Sequence, residues 1–330
     1  MKNLKIWIIV IFVLGIGGVA MFLLMGSGDT PEPDSEPIVE REQGRDGEAL
    51  IWRVESDTAV VYLVGTIHIG KEGLLPMQQI LLDAFYDSDA IAVEFDIVAF
   101  SQDLVAQVEL AQRMIYSEGT IQNHISQELY DLLLLVLDEL GIVGLERTAM
   151  LATRADLVAM TLVQRHMAEW GFMDHPGVDE FFINLAKRYN MPIIELESAV
   201  SQINLGLNFS RALNELLLKS ILFATPEELE ETRLMTEKMY TAWLNGDVEL
   251  LRQMIEQENS MIIEHDPILF KEYNDAMMVK RDIAMVATIR EMLQGNQTIF
   301  FAVGAAHLVA NGAIIDQLEE LGYTATRITQ

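Results

Sequence analysis

The chain has 330 residues, enough for one large domain or two small ones, and no cysteine, so neither a disulfide framework nor a lipoprotein cysteine is available. Its formal net charge of −28 excludes nucleic acid as a partner, since phosphate backbones demand a basic footprint. The same charge disfavours an anionic membrane surface as a docking site beyond any inserted anchor.

Lys2 and Lys5 precede an apolar run from Ile6 to Met25 that carries no charged residue. At about 1.5 Å per residue such a helix spans roughly the 30 Å hydrocarbon core of a bilayer. Residues 1–25 are therefore expected to form a transmembrane signal anchor. The lysines before it and the acids after it (Asp29, Glu32, Asp34, Glu36) put the N-terminus in the cytoplasm and the rest of the chain outside the inner membrane, in the periplasm. Gly18-Val19-Ala20 is a weak cleavage site, and use of it would give a secreted protein. Residues 26–47, GSGDTPEPDSEPIVEREQGRDG, read as a flexible acidic stalk.

A folded domain is expected over 48–330. ALIWRV from Ala49 and AVVYLVG over Ala59 to Gly65 read as paired strands around a Ser56-Asp57 turn. Pro76 to Tyr86 has helical spacing behind a first-turn proline, and AIAVEF over Ala90 to Phe95 suits a buried strand. Helical patterning then runs from Phe100 to Arg165, returns over Gly177 to Tyr189, and continues from Ser198 to Leu293. A strand at about 192–196 interrupts it. A strand over Thr298 to Val303, a helix over Gly312 to Leu321 and a strand over Thr324 to Ile328 close the chain. The expected fold is α/β. Two β-α-β units build a mixed central sheet, and a helical insertion of about 100–290 separates them.

Each unit drives a strand into Gly-x-x-His: VYLVGTIHIGKEG holds Gly65 and His68, and FFAVGAAHLVANG holds Gly304 and His307. In both, another glycine follows the histidine by five residues (Gly73 and Gly312). Pseudo-symmetry of this kind would bring both histidines to one sheet edge, where open α/β sheets place their sites. Histidine there can move protons or ligate a metal, or it can simply cap a turn. Glu94 ends an apolar strand and needs a cation, a proton or a donor, an ordinary salt bridge included. Glu195 and Glu197 share one face at the end of PIIELES. Arg281, in the helix before the last Gly-x-x-His strand, could orient carboxylates or steady an oxyanion, or lie on the surface. Zinc-protease, serine-hydrolase and phosphate-loop motifs are absent.

Together GTIHIG, AVEFD, GVDEFFINLAKRYNMPIIELES, the KRDIAM helix and AVGAAHLVANGAIIDQLEELGY resemble the TraB/GumN (PrgY) family over about residues 48–329. Its relatives include the Tiki metalloproteases and, more distantly, erythromycin esterases and ChaN-like haem-binding proteins. The resemblance implies a metal-dependent hydrolase, a peptidase by analogy with Tiki, with His68, His307, Glu94 and Arg281 as catalytic residues. His68, His307 and Glu94 would hold a divalent ion (Zn²⁺, Mn²⁺ or Co²⁺), with Glu197 in reserve, and the substrate would be a peptide or protein. The alternatives are a non-catalytic protein that sequesters a peptide or haem, and a pseudoenzyme regulator. Two departures stand out: Arg281-Asp282 replaces a common Arg-Asn, and TAMLATRADL replaces a Pro-Trp before the insert.

Overall fold

The computed structural model describes residues 41–329. The anchor and all but the end of the stalk lie outside that range. No helix among the described residues is long and apolar enough to cross a membrane.

A six-stranded mixed sheet organises the domain. Its strands are β1 (Ile51–Glu55), β2 (Val60–Thr66), β3 (Ala90–Val93), β4 (Ile193–Glu195), β5 (Thr298–Gly304) and β6 (Thr326–Arg327), in the spatial order β4-β3-β5-β2-β1-β6. The pairs β2–β5, β5–β3 and β3–β4 are parallel, whereas β1 runs antiparallel to both β2 and β6. The inner strands read as continuous apolar runs because helices cover both their faces. All of β3 is buried, as is β5 beyond its first residue, Thr298. In β1, Arg53 and Glu55 alternate outward and pair with each other.

β2 and β5 are direct parallel neighbours, with Thr66 opposite Gly304, so both Gly-x-x-His turns leave the sheet at the same edge. The helix Gln79–Tyr86 follows the first turn and Ile314–Glu320 follows the second. The insertion is helical throughout apart from β4, which adds an edge strand beside β3. Its longest helix, Pro226–Leu244, starts at a Thr225/Glu228 capping box with proline in the first turn. Trp243 near its end is 1% exposed and donates Nε1–H to the Gly65 carbonyl at 2.8 Å, which ties the insertion to the end of β2. Within the replaced segment, Arg154 pairs with Asp156 and reaches the carbonyls of Arg113 and Ile203, which binds three helices of the insertion together.

The last stalk residues lie against the domain. Glu42 N–H donates to the Tyr86 hydroxyl, Gly44 N–H donates to Gln79 Oε1, and Arg188 pairs with Glu42.

Candidate functional site

Glu94 and Glu197 lie just beyond the ends of β3 and β4, where strand pairing continues past the regular ladder. Leu196 N–H donates to the Val93 carbonyl and Glu197 N–H to the Glu94 carbonyl, which sets the two carboxylates side by side. Glu94 is 4% exposed. Its Oε1 accepts from Gly304 N–H at 2.9 Å, and its Oε2 accepts from Arg281 Nη2 at 2.7 Å and Gln202 Nε2 at 2.8 Å. Glu197 accepts from Arg281 Nε at 2.7 Å and Nη2 at 3.0 Å. Glu195 faces elsewhere and accepts from Asp96 N–H.

Arg281 reaches this pair from the Lys280–Met292 helix, which a π-helical turn over Asp275–Val279 precedes. Such turns are uncommon and recur at functional sites. Arg281 Nη1 donates back to the Met277 carbonyl of that turn at 3.1 Å and forward to His307 Nε2 at 2.8 Å. A guanidinium only donates, so His307 Nε2 accepts, and the ring proton sits on Nδ1, which donates to Asp282. Arg281, Asp282 and His307 are all buried. Burial alone would lower the arginine's pKa, but Glu94 and Glu197 raise it and keep the charge in place. Burial alone would likewise raise the Glu94 carboxyl; Arg281 first and His68 next hold it down to about 2.

His68 is positioned differently. Its Nδ1 faces Asp179 Oδ2 at 2.8 Å, and Asp179 Oδ1 accepts from the Thr66 hydroxyl at 2.6 Å. The His68 side chain is only 9% exposed, and its Nε2 has no hydrogen-bond partner among the described residues. Burial alone would lower its pKa; the charge and hydrogen bond of Asp179, with Glu94 beyond, raise it to about 9. Gly177 makes the approach possible, because a Cβ there would fall 2.7 Å from the His68 carbonyl carbon. A small, open pocket lies over this pair and is lined by His68, Val93, Glu94, Phe95, Ile97, Gly177, Asp179 and Glu180.

The structure thus gathers Glu94, Glu197, Arg281 and His307 into one hydrogen-bonded cluster and sets His68 beside Glu94 on the pocket wall. As arranged, His307 does not fit the ligand role expected of it. The His307 Nε2 lone pair is used by Arg281, and Glu94 Oε2 already accepts two hydrogen bonds, which leaves only Oε1, with one, a lone pair to offer. Among the described residues no group of three or more His, Cys, Asp or Glu side chains could hold a metal. The sequence reading missed Asp179, Gln202 and Glu180 as members of the site. Asp179 was legible only as a first-turn acid in GVDEFF. Asp282, noted as a departure from Arg-Asn, contacts His307.

Residues 50–327 match the TraB/PrgY/gumN family. The chain belongs to that family. It is 26% identical over 264 residues to the uncharacterized protein YbaP of Escherichia coli K12, an alignment covering 78% of this chain and 87% of that protein. YbaP of Shigella flexneri matches to the same extent. No solved structure matches.

Proposed function

We propose that this domain hydrolyses peptide bonds outside the cytoplasmic membrane, with the segment 6–25 as its anchor and His68 and Glu94 as the catalytic residues. One observation carries the reading: a buried histidine, fixed on one nitrogen by Asp179, keeps its other nitrogen unpartnered on the wall of a pocket that Glu94 also lines. Asp179 orients the ring and stabilises its charged form, the task of a carboxylate behind a catalytic histidine.

With its pKa raised to about 9, His68 is an imidazolium at neutral pH. Its Nε2–H polarises the carbonyl oxygen in the pocket and then protonates the departing nitrogen. Glu94 stays ionised, orients the attacking water and takes its proton. Environments that push an acid and a carboxylate apart in pKa assign such roles. Arg281, Gln202 and the Gly304 N–H fix the Glu94 carboxylate, and His307 and Asp282 in turn fix Arg281; all of these are positioning residues.

The test is turnover of a fluorogenic peptide library by the purified full-length protein, beside His68→Ala and Glu94→Gln, before and after chelation. Cleavage by the wild type that both variants lose, and that survives chelation, supports the reading. Equal turnover in wild type and His68→Ala overturns it. Loss on chelation with recovery on adding one divalent ion would overturn the metal-free route.

A further inference from the structure

One buried acid lies outside the pocket and takes no part in this mechanism. Glu258 sits on the inner stripe of the Val248–His265 helix with Leu251, Met254 and Ile255, where the spacing calls for an apolar residue. It is 2% exposed, and among the described residues no hydrogen bond or ion pair reaches it; its Oε2 is enclosed and unpartnered. One turn away on the same helix stand Met254, Ile255, Met261 and Ile262, none of them charged. The helices packed against it are Pro226–Leu244, Pro267–Asn274 and Ala306–Val309, whose buried titratable groups are Tyr240, Tyr273 and His307. His307 is bonded to Arg281 and Asp282, and Tyr240 interacts with Arg45 and Glu237. Tyr273 is the one that responds to Glu258. Its hydroxyl is likewise buried and unpartnered, and its pKa is raised by burial first and Glu258 next, against a lowering by Arg281.

Glu258, Tyr273 and Arg281 therefore lie within electrostatic reach of one another. A carboxylate enclosed at this depth without a cation or an N–H donor is not sustained, and the group keeps its proton. Burial, the only influence on it, accordingly pushes the Glu258 carboxyl well above the usual carboxylate range. In that neutral state Glu258 does not compete for Arg281, which stays with Glu94 and Glu197. Ionised, it would be a third anion near the same guanidinium, and the one without a donor of its own. The path to Arg281 is short in sequence. Tyr273 is followed by the π-helical turn Asp275–Val279, and the Met277 carbonyl in that turn accepts from Arg281 Nη1. A change in the packing around Tyr273 thus bears on the residue that holds Glu94.

We propose that Glu258 is a proton-operated switch for the Arg281 cluster. While Glu258 holds its proton, its helix packs on Tyr273 and Arg281 is left to Glu94 and Glu197; when the proton leaves, the new carboxylate loosens that packing and draws on Arg281. The switch is independent of the peptidase reading, and its test needs no turnover. The full-length protein, Glu258→Gln and Glu258→Leu are unfolded in urea from pH 5 to pH 9. A carboxyl whose folded-state pKa is raised gives its stability in full below 4.5 and loses it as pH rises through the folded value. The folded-to-unfolded ratio of the wild type relative to either variant should therefore fall by about tenfold per pH unit across the first part of that range. Over the same range the Arg281 Nε–H nitrogen resonance, assigned by its loss in Arg281→Lys, should move in the wild type and move less in Glu258→Gln. Parallel stability profiles, an Arg281 resonance that stays fixed in the wild type, or one that moves equally in Glu258→Gln overturns the proposal. Failure of both variants to fold overturns it too, because a site built for a neutral acid tolerates the amide.

Discussion

Replacing Arg281 with methionine removes the one cation shared by two carboxylates at the ends of β3 and β4. The side chain is buried and donates to Glu94, Glu197, His307 and the Met277 carbonyl. Methionine fills much of the volume but leaves Glu94 as a buried charge without its counter-ion. Breaking a buried pair from one side costs about 3–5 kcal/mol. The Glu94 carboxyl, held down to about 2 against its ordinary 4.5 with Arg281 as the largest opposing influence to burial, points in the same direction. Urea denaturation at pH 7 should therefore show Arg281→Met less stable by about 3–5 kcal/mol. A double-mutant cycle identifies the source: Glu94→Gln combined with Arg281→Met should cost at least about 2 kcal/mol less than the two single costs added together. In the wild type, Glu94's contribution is present above pH 4.5 and lost as pH falls through about 2. In Arg281→Met the carboxyl, still buried, takes up a proton at higher pH, so the variant's deficit should shrink between pH 7 and pH 5. A loss below about 1 kcal/mol at pH 7, or strictly additive costs, would refute the assignment of Arg281 as the counter-ion on which Glu94 depends.

Four further outcomes follow from the same geometry. The proposed turnover should hold level through neutral pH and fall about tenfold per pH unit above about 9 as His68 loses its proton, and Asp179→Asn should move that limb to lower pH. The His68 contribution to stability is fully present below pH 6.5 and lost as pH rises through about 9, so Asp179→Asn should flatten the stability profile across that window, as thermal melts will show. Gly177→Ala carries no backbone strain, since φ is −69°, yet its methyl would fall 2.7 Å from the His68 carbonyl; about 1–3 kcal/mol of destabilisation is expected by denaturant titration, with a larger proportional loss of turnover. Asp282→Asn keeps an oxygen that accepts the His307 Nδ1–H and should cost under about 1 kcal/mol, whereas Asp282→Leu leaves that donor buried and unpaired and should cost about 1–3 kcal/mol.

Much of the scaffold was legible because it is written in periodicity. The inner strands are unbroken apolar runs, and the insertion carries helical spacing almost throughout, so the sheet, the insertion and the shared edge of the two Gly-x-x-His turns could be expected from the sequence. Partnership was harder to read. Glu94 and Arg281 stood out as charges in apolar settings, which burial makes costly. Nothing in the sequence shows that the lone pair of His307 is spent on Arg281, because that contact joins one helix to the short helix Ala306–Val309 across 26 positions and follows one π-helical turn. Asp179 and Glu180 look alike as first-turn acids. Only the backbone approach at Gly177 separates the one that holds His68 from the one left facing the pocket.

The place of β5 has a consequence for biogenesis. This strand spans residues 298–304, near the end of the chain, yet it lies between β3 and β2, and its Gly304 N–H grips Glu94. Until those residues emerge, the early strands have no central partner and Glu94, Arg281 and His307 have nowhere to meet. A polypeptide from which these residues have yet to emerge therefore lacks the assembled cluster. Pairings of such long sequence separation also form slowly, which leaves apolar strand edges waiting for their last neighbour. The cluster thus forms only once residues 298–307 have joined the sheet.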